Sequence, residues 1–386
     1  MIEFGFLLSA LLLLYLAECA VWVPAGSIAF RLSSNPKRPL RIITKSRVVP
    51  RSSIVFAYPF FPPNDVVVCS PQLLSICPEG IAPDPRFLAG ARGGFVAFEK
   101  IFRIGVELRK LVVNGAPFVA TSSEIQATEL ADFLKRLRKR TSKERTSEIE
   151  KQLARNLDSD GAQSRLEDYA ETTSTLSRDS LTLQFMVFVV SPVVVWKFGL
   201  NIVWPFLLIY LVLHVSLIAW DFHRASRRLF PTAGTARWGT IAMILLSPPA
   251  ALRATKYLAR DIGLGYHPLA FAASRCSNKE FRKLASSVLR EVMFAPEAVG
   301  LDKQSVDCSQ WFRHRFQNAV LELLRKHGNA LQELIAPPLR ESEHVQSYCP
   351  RCLAQFVLLD GVCTDCDSVP LRSYNASKNL PTTPQY

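Results

Sequence analysis

The chain has 386 residues, with 46 Lys and Arg against 33 Asp and Glu, for a formal net charge of +13. Hydrophobic residues make up 49%, ordinary for a globular protein, and the length suits two or three domains. The apolar residues fall in blocks, so the basic excess is read first as cytoplasmic flanks of membrane segments and only second as a nucleic-acid or lipid surface.

Phe4 to Val23 reads FGFLLSALLLLYLAECAVWV, about the ~20 apolar residues that cross a bilayer core. Only Glu3 is charged before it, and Arg31, Lys37, Arg38, Arg41, Lys45, Arg47 and Arg51 follow it. That asymmetry predicts an uncleaved transmembrane helix at 4–23 with its N-terminus outside. Glu18 lies a turn from its cytoplasmic end and is expected to snorkel toward water.

Residues 24–140 predict a β-rich domain closed by a helix. Short apolar runs alternate with Pro, Gly and Asn turns. Asn114-Gly115 marks a hairpin, Ser122 or Ser123 caps the helix, and Ile125, Leu130, Phe133, Leu134 and Leu137 form its apolar face. Strands closed by one C-terminal helix over residues 95–140 resemble a bacterial pleckstrin-homology-like domain. That resemblance implies binding to lipid headgroups or proteins. Residues 141–180 read as a charged helical linker, preceded by the basic run Lys135–Arg140.

Leu181 to Trp220 is twice the length of one span, and Lys197, Gly199 and Asn201 lie at its centre. It predicts a transmembrane hairpin, about 181–198 and 202–220, with Arg165, Arg178, Arg224, Arg227 and Arg228 flanking both outer ends on the cytoplasmic side. Pro192 and Pro205 are expected to kink it. Residues 239–252 are too short to cross and contain Pro248-Pro249, which predicts an interfacial or re-entrant segment. Residues 253–340 predict a helical domain. In it Ser277-Asn278-Lys279-Glu280 reads as a capping box, and a helix near Ser309–His327 stops at Gly328.

Nine cysteines are present. Cys349, Cys352, Cys363 and Cys366 follow C-x2-C-x10-C-x2-C, the spacing of a tetrahedral thiolate cage. Four thiolates fill the shell of one structural zinc and leave no position for water. An all-thiolate iron site or a redox dithiol is the alternative. The segment CPRCLAQFVLLDGVCTDC resembles a short zinc ribbon at 347–372, with two knuckles whose N–H groups face sulfur and a turn at Asp360-Gly361. Such knuckles often place Gly after the second Cys, where φ is positive. Here Leu353 and Asp367 stand there. Leu358 and Leu359 are expected to be exposed, because so small a unit cannot bury both faces. Residues 373–386 read as a disordered polar tail. Cys69 and Cys77 would bridge only in an oxidising compartment, and a thiolate cage argues for a reducing one.

Signatures of a zinc protease, a serine hydrolase, a P-loop and a Rossmann fold are missing, and the six histidines do not cluster. No catalytic or cofactor-binding residue is therefore assigned, and an enzyme is not expected. His214 reads as an interfacial histidine near Trp220. The whole chain resembles uncharacterised bacterial inner-membrane proteins that end in a CPRC…CxDC ribbon. The resulting fold class is a multi-domain α+β membrane protein. It would lie in the cell inner membrane as a multi-pass protein with its soluble domains and C-terminus cytoplasmic. The expected role is a membrane-anchored scaffold or adaptor. Its partners would be membrane lipids and a protein held by the ribbon or the β domain, rather than nucleic acid, and homo-oligomerisation stays open. The alternative role is a subunit of an oligomeric small transporter or channel.

Overall fold

The first helix stops earlier than its composition suggests. In this computed structural model, which describes residues 2–33, 38–43, 52–59, 64–70, 73–84, 94–295, 302–366 and 369–374, α1 covers Ile2–Glu18. The apolar run continues as a strand, β1 (Ala20–Val23), paired antiparallel with β4 (Ser53–Phe56). The sequence Ala-Val-Trp-Val favours a pleated surface over a helix once a partner strand is offered. The expected helix at 4–23 is thus corrected to a helix followed by a strand. Seventeen residues rise ~25 Å, the lower limit for crossing a bilayer.

β2 (Ile28–Leu32) lies between β3 (Arg41–Ile42) and β5 (Asp65–Cys69). β6 (Leu74–Ile76), β7 (Gly80–Pro83) and β8 (Val96–Ala97) form a second three-stranded sheet. β9 (Ile104–Glu107), β10 (Lys110–Val113) and β11 (Ala116–Ala120) form a third. The β10–β11 turn is Asn114-Gly115, both at positive φ (54° and 83°), as an Asn-Gly hairpin requires. α2 (Glu124–Arg138) closes this sheet, capped by the Ser123 hydroxyl on the Gln126 N–H. α3 (Ser142–Asn156) and α4 (Ser159–Thr172) supply the linker, each with a side-chain N-cap.

Two helices, Ser174–Phe198 and Leu200–Leu229, are long and apolar enough to cross a membrane. The first is α5 (Ser174–Phe185) joined to α6 (Ser191–Phe198) through one π turn at Met186–Val190. Pro192 explains the π turn, because it has no N–H to donate and its ring needs room against the preceding turn. Gly199, at φ 80°, makes the tight reversal into α7 (Leu200–Leu229). The helical hairpin expected at 181–220 is present and longer at both ends.

α8 (Gly234–Leu246) runs into the break Ser247-Pro248, and the short α9 (Pro248–Leu252) turns back toward α10 (Ala254–Asp261). Both ends of this excursion meet the β units. Thr235 Oγ1 donates to Glu124 Oε1 at 2.8 Å, and Thr255 Oγ1 donates to Asp65 Oδ1 at 3.3 Å. Gln184 Nε2 donates to the Leu252 carbonyl at 2.7 Å, and Ser180 Oγ to that of Ala251 at 3.2 Å. These α5 side chains satisfy carbonyls that the end of α9 leaves without helical partners.

α11 (Pro268–Arg275), α12 (Asn278–Met293) and α13 (Lys303–Lys326) follow. Ser277 caps α12 as expected. α13 begins at Lys303, six residues before the expected start, because Asp302 caps it. Gly328, at φ 67°, follows its end. The segments 24–140 and 253–340 do not pack as separate bodies. Phe312 of α13 belongs to the apolar core of β6, β7 and α2, while Phe30 and Val67 share a core with Phe271 and Leu289.

All nine cysteines are free. Cys77 shares a small apolar cluster with Cys308 of α13, not with Cys69. Burial and the nearby Cys276 push the Cys69 thiol up. Glu18 does not snorkel. Its Oε2 accepts from Lys256 Nζ at 3.0 Å and from the Tyr257 hydroxyl at 2.9 Å.

Candidate metal centre

α14 (Leu331–Leu334) leads into the C-terminal unit, built on β12 (Ser347–Tyr348), β13 (Gln355–Phe356), β14 (Val362–Cys363), β15 (Val369–Pro370) and β16 (Arg372–Ser373). β12 lies between β13 and β16, and β14 pairs with β15. The unit therefore extends to Tyr374, past the expected edge at 372. The tail from 375 onward lies outside the described residues, as does Asp367. β13 is only two residues long, and the chain then opens into an exposed loop.

This scaffold brings the four predicted cysteines together. Their sulfurs all lie within 4.8 Å of one another, and Cys352 Sγ to Cys363 Sγ is 3.7 Å. A tetrahedron with metal–sulfur bonds of ~2.3 Å has edges of ~3.8 Å, so the spacing fits a metal ion. Cys349, Cys363 and Cys366 are fully buried and Cys352 is partly exposed. Among the described residues this is the one group of three or more His, Cys, Asp or Glu side chains that could share an ion.

The first knuckle has the expected N–H pattern. Burial raises the Cys349 thiol, but the N–H groups of Cys352 and Arg351, together with the Cys352 and Cys363 thiols, outweigh it and hold Cys349 below its ordinary value. Burial pushes Cys352 up to about 11, although the Ala354 N–H opposes it. Leu353 sits at φ 66°, the left-handed conformation that its position demands. It closes the knuckle by donating its N–H to the Cys349 carbonyl at 2.9 Å. For a Leu this backbone costs ~1–2 kcal/mol.

Residues outside the motif fix the unit to the helices. Arg290 of α12, 4% exposed, donates to the carbonyls of Pro350 (3.0 Å), Leu334 (3.3 Å) and Ala336 (2.6 Å). Phe294 packs on the cysteine cluster, with the Arg372 guanidinium 4.7 Å from its ring centre. No sequence cue marks Arg290 or Phe294. The connection from β13 to β14, which lie in different sheets, is apolar and exposed: Val357, Leu358, Leu359 and Val362 are 63%, 62%, 50% and 52% exposed.

A second feature escaped the sequence reading. α2, α3, α4, α13 and the loop 263–267 line an open pocket of about 490 Å³, bordered by Glu129, Arg155, Arg165, Tyr266, His267 and Phe316. Burial raises the Glu129 carboxyl, and Arg165 and Arg155 pull it down by less. Comparison with family models, curated proteins and solved structures returns no match to this chain.

Proposed function

We propose that this protein is a membrane-anchored adaptor whose C-terminal zinc ribbon presents an exposed apolar loop to a protein partner. The observation that carries this reading is the row Val357, Leu358, Leu359 and Val362, each at least half exposed, beside a closed four-thiolate site. A contiguous apolar row on so small a unit favours association over solvent. Four thiolates suit one structural zinc, which would fix both ends of the loop and leave no coordination position for a substrate.

Membrane placement is supported by the hairpin's surface. Phe206, Leu208, Ile209, Val212, Leu213 and Leu217 of α7 are exposed between two aromatic levels, Trp196 with Trp204 and Trp220 with Trp238. Trp204 and Trp220 lie about 24 Å apart along α7 at ~1.5 Å per residue, close to the separation of the two interfaces. The outer ends of the hairpin meet, since Arg228 Nη2 lies 3.3 Å from Glu171 Oε1. Thr235 and Thr255, on either side of 239–252, bond Glu124 of α2 and Asp65 of β5. The soluble parts then share one side, and the flanking Arg residues favour the cytoplasm for it.

The transporter reading finds less support. Four of the five polar side chains that the hairpin offers for it, all but Lys197, bond within the fold. Gln184 bonds the Leu252 carbonyl, Ser191 and Ser216 bond their own helices, and His214 bonds the Asp179 carbonyl. Replacing Leu358 and Leu359 with Ser in the full chain tests the adaptor reading. Partner co-purification from detergent-solubilised membranes should fall at least tenfold with zinc content unchanged. Unchanged capture would refute it.

A further inference from the structure

The ribbon of β1 and β4 has one covered face and one bare face. Its register sets Val21 opposite Val55, Trp22 opposite Ile54 and Ala20 opposite Phe56. Alternation sends Val21, Val23 and Val55 inward against Val66, Val68 and Ala29. Trp22, Ile54 and Phe56 therefore share the outer face, exposed by 52%, 67% and 62%. A two-stranded ribbon rarely leaves three large apolar side chains side by side in water.

The position of this patch says what covers it. β1 follows α1 after one residue, and the Ala57 N–H donates to the Cys19 carbonyl at 2.9 Å. The ribbon thus starts where α1 ends. Phe6, Leu7, Leu13 and Leu14 are exposed on α1, and the Tyr15 ring lies 5.4 Å from that of Phe188 on the apolar hairpin. Charge resumes at the Glu18–Lys256 pair. The bare face begins just beyond that level, where the chain leaves the apolar zone. Tryptophan flanked by Ile and Phe suits the boundary between headgroups and acyl chains.

We propose that the β1–β4 ribbon is an interfacial wedge, with Trp22, Ile54 and Phe56 seated in the bilayer leaflet nearest the soluble body. The occupant of this face is lipid, because β1 follows directly on α1, whose exposed side chains are apolar. The inference rests on the membrane placement proposed above.

The test uses two full-length variants, each with one of the six tryptophans kept and five changed to Phe. One keeps Trp22, the other Trp204 on the hairpin. Each is reconstituted in phosphatidylethanolamine–phosphatidylglycerol vesicles with acyl chains brominated near the carbonyl or near the chain end. Trp22 emission should be blue-shifted and quenched at least twofold more by the shallow bromines. Trp204 quenched with Trp22 unquenched would overturn the wedge and leave the membrane placement standing. Neither quenched would overturn both. Trp22 shielded from bromine and from aqueous iodide alike would mean a protein covers the face, which also overturns the wedge. If the tryptophan replacements fail to fold, a benzoylphenylalanine at Ile54 in the otherwise native chain decides the matter. A lipid adduct supports the wedge, and a protein adduct or none contradicts it.

Discussion

Arg290 donates from Nη1 to the Pro350 carbonyl at 3.0 Å, inside the first C-x2-C knuckle. One buried guanidinium thus ties the metal site to α12, 60 residues earlier in the chain. The cysteine unit is not an independent bead on a tether, and its stability is coupled to that of the helices.

Arg290→Ala should cost roughly 2–4 kcal/mol, because three carbonyls lose a charged donor in a buried place. Chelator-driven metal release from the full chain, followed with a metallochromic dye, should be faster than in wild type. Arg290→Lys should recover only part of the loss, since an ammonium cannot span three carbonyls as a planar fork does. Equal release rates in all three proteins would show that the contact carries no stability.

Leu353→Gly should tighten the site. The left-handed φ of 66° is free of Cβ strain in glycine, and the gain is about 0.5–1 kcal/mol after glycine's greater loss of backbone freedom. Chelator competition should then need a higher concentration to remove half the metal. A shift in the other direction would mean that the Leu353 side chain contributes more through packing than its backbone costs.

Gln184→Leu removes the donor to the Leu252 carbonyl where α9 ends. An unsatisfied carbonyl there should cost about 1–3 kcal/mol. Thermal unfolding in detergent should move down, and more than for Ser216→Ala, whose hydroxyl bonds only its own helix.

Glu129 gives a pH signature. Its folded-state pKa is raised above the ordinary value of about 4.5, so the folded state binds the proton more tightly than the unfolded chain. The stabilisation is full below about 4.5 and is lost as pH rises through the higher folded value. Glu129→Gln should therefore match wild type near pH 4 and become progressively more stable than wild type toward neutral pH. Denaturant midpoints across pH 4 to 8 measure this, and parallel curves would show that the carboxyl is not perturbed.

Local signals carried furthest in the sequence. Asn114-Gly115, the Ser123 and Ser277 caps, Gly199 and Gly328 act within a few residues of themselves, so their turns and caps lie where expected. The four cysteines were legible for a similar reason, since their spacing is the geometry of the ion. What required the fold was every long-range choice. Ala20–Val23 joined the apolar helix on composition and became a strand only because Ser53–Phe56 lies beside it. Cys77 found Cys308 rather than Cys69 because α13 crosses β6 and β7, a pairing across more than 200 residues that no local pattern encodes. The same holds for Arg290, which reads in sequence as one more surface arginine of an amphipathic helix.

The central claim, that the exposed loop between β13 and β14 holds a protein partner, is tested most directly by a photo-crosslinker placed at Leu358 of the full chain in native membranes. The account predicts one discrete protein adduct, lost when Cys349→Ser removes the metal site. No protein adduct, or lipid adducts alone, would contradict it.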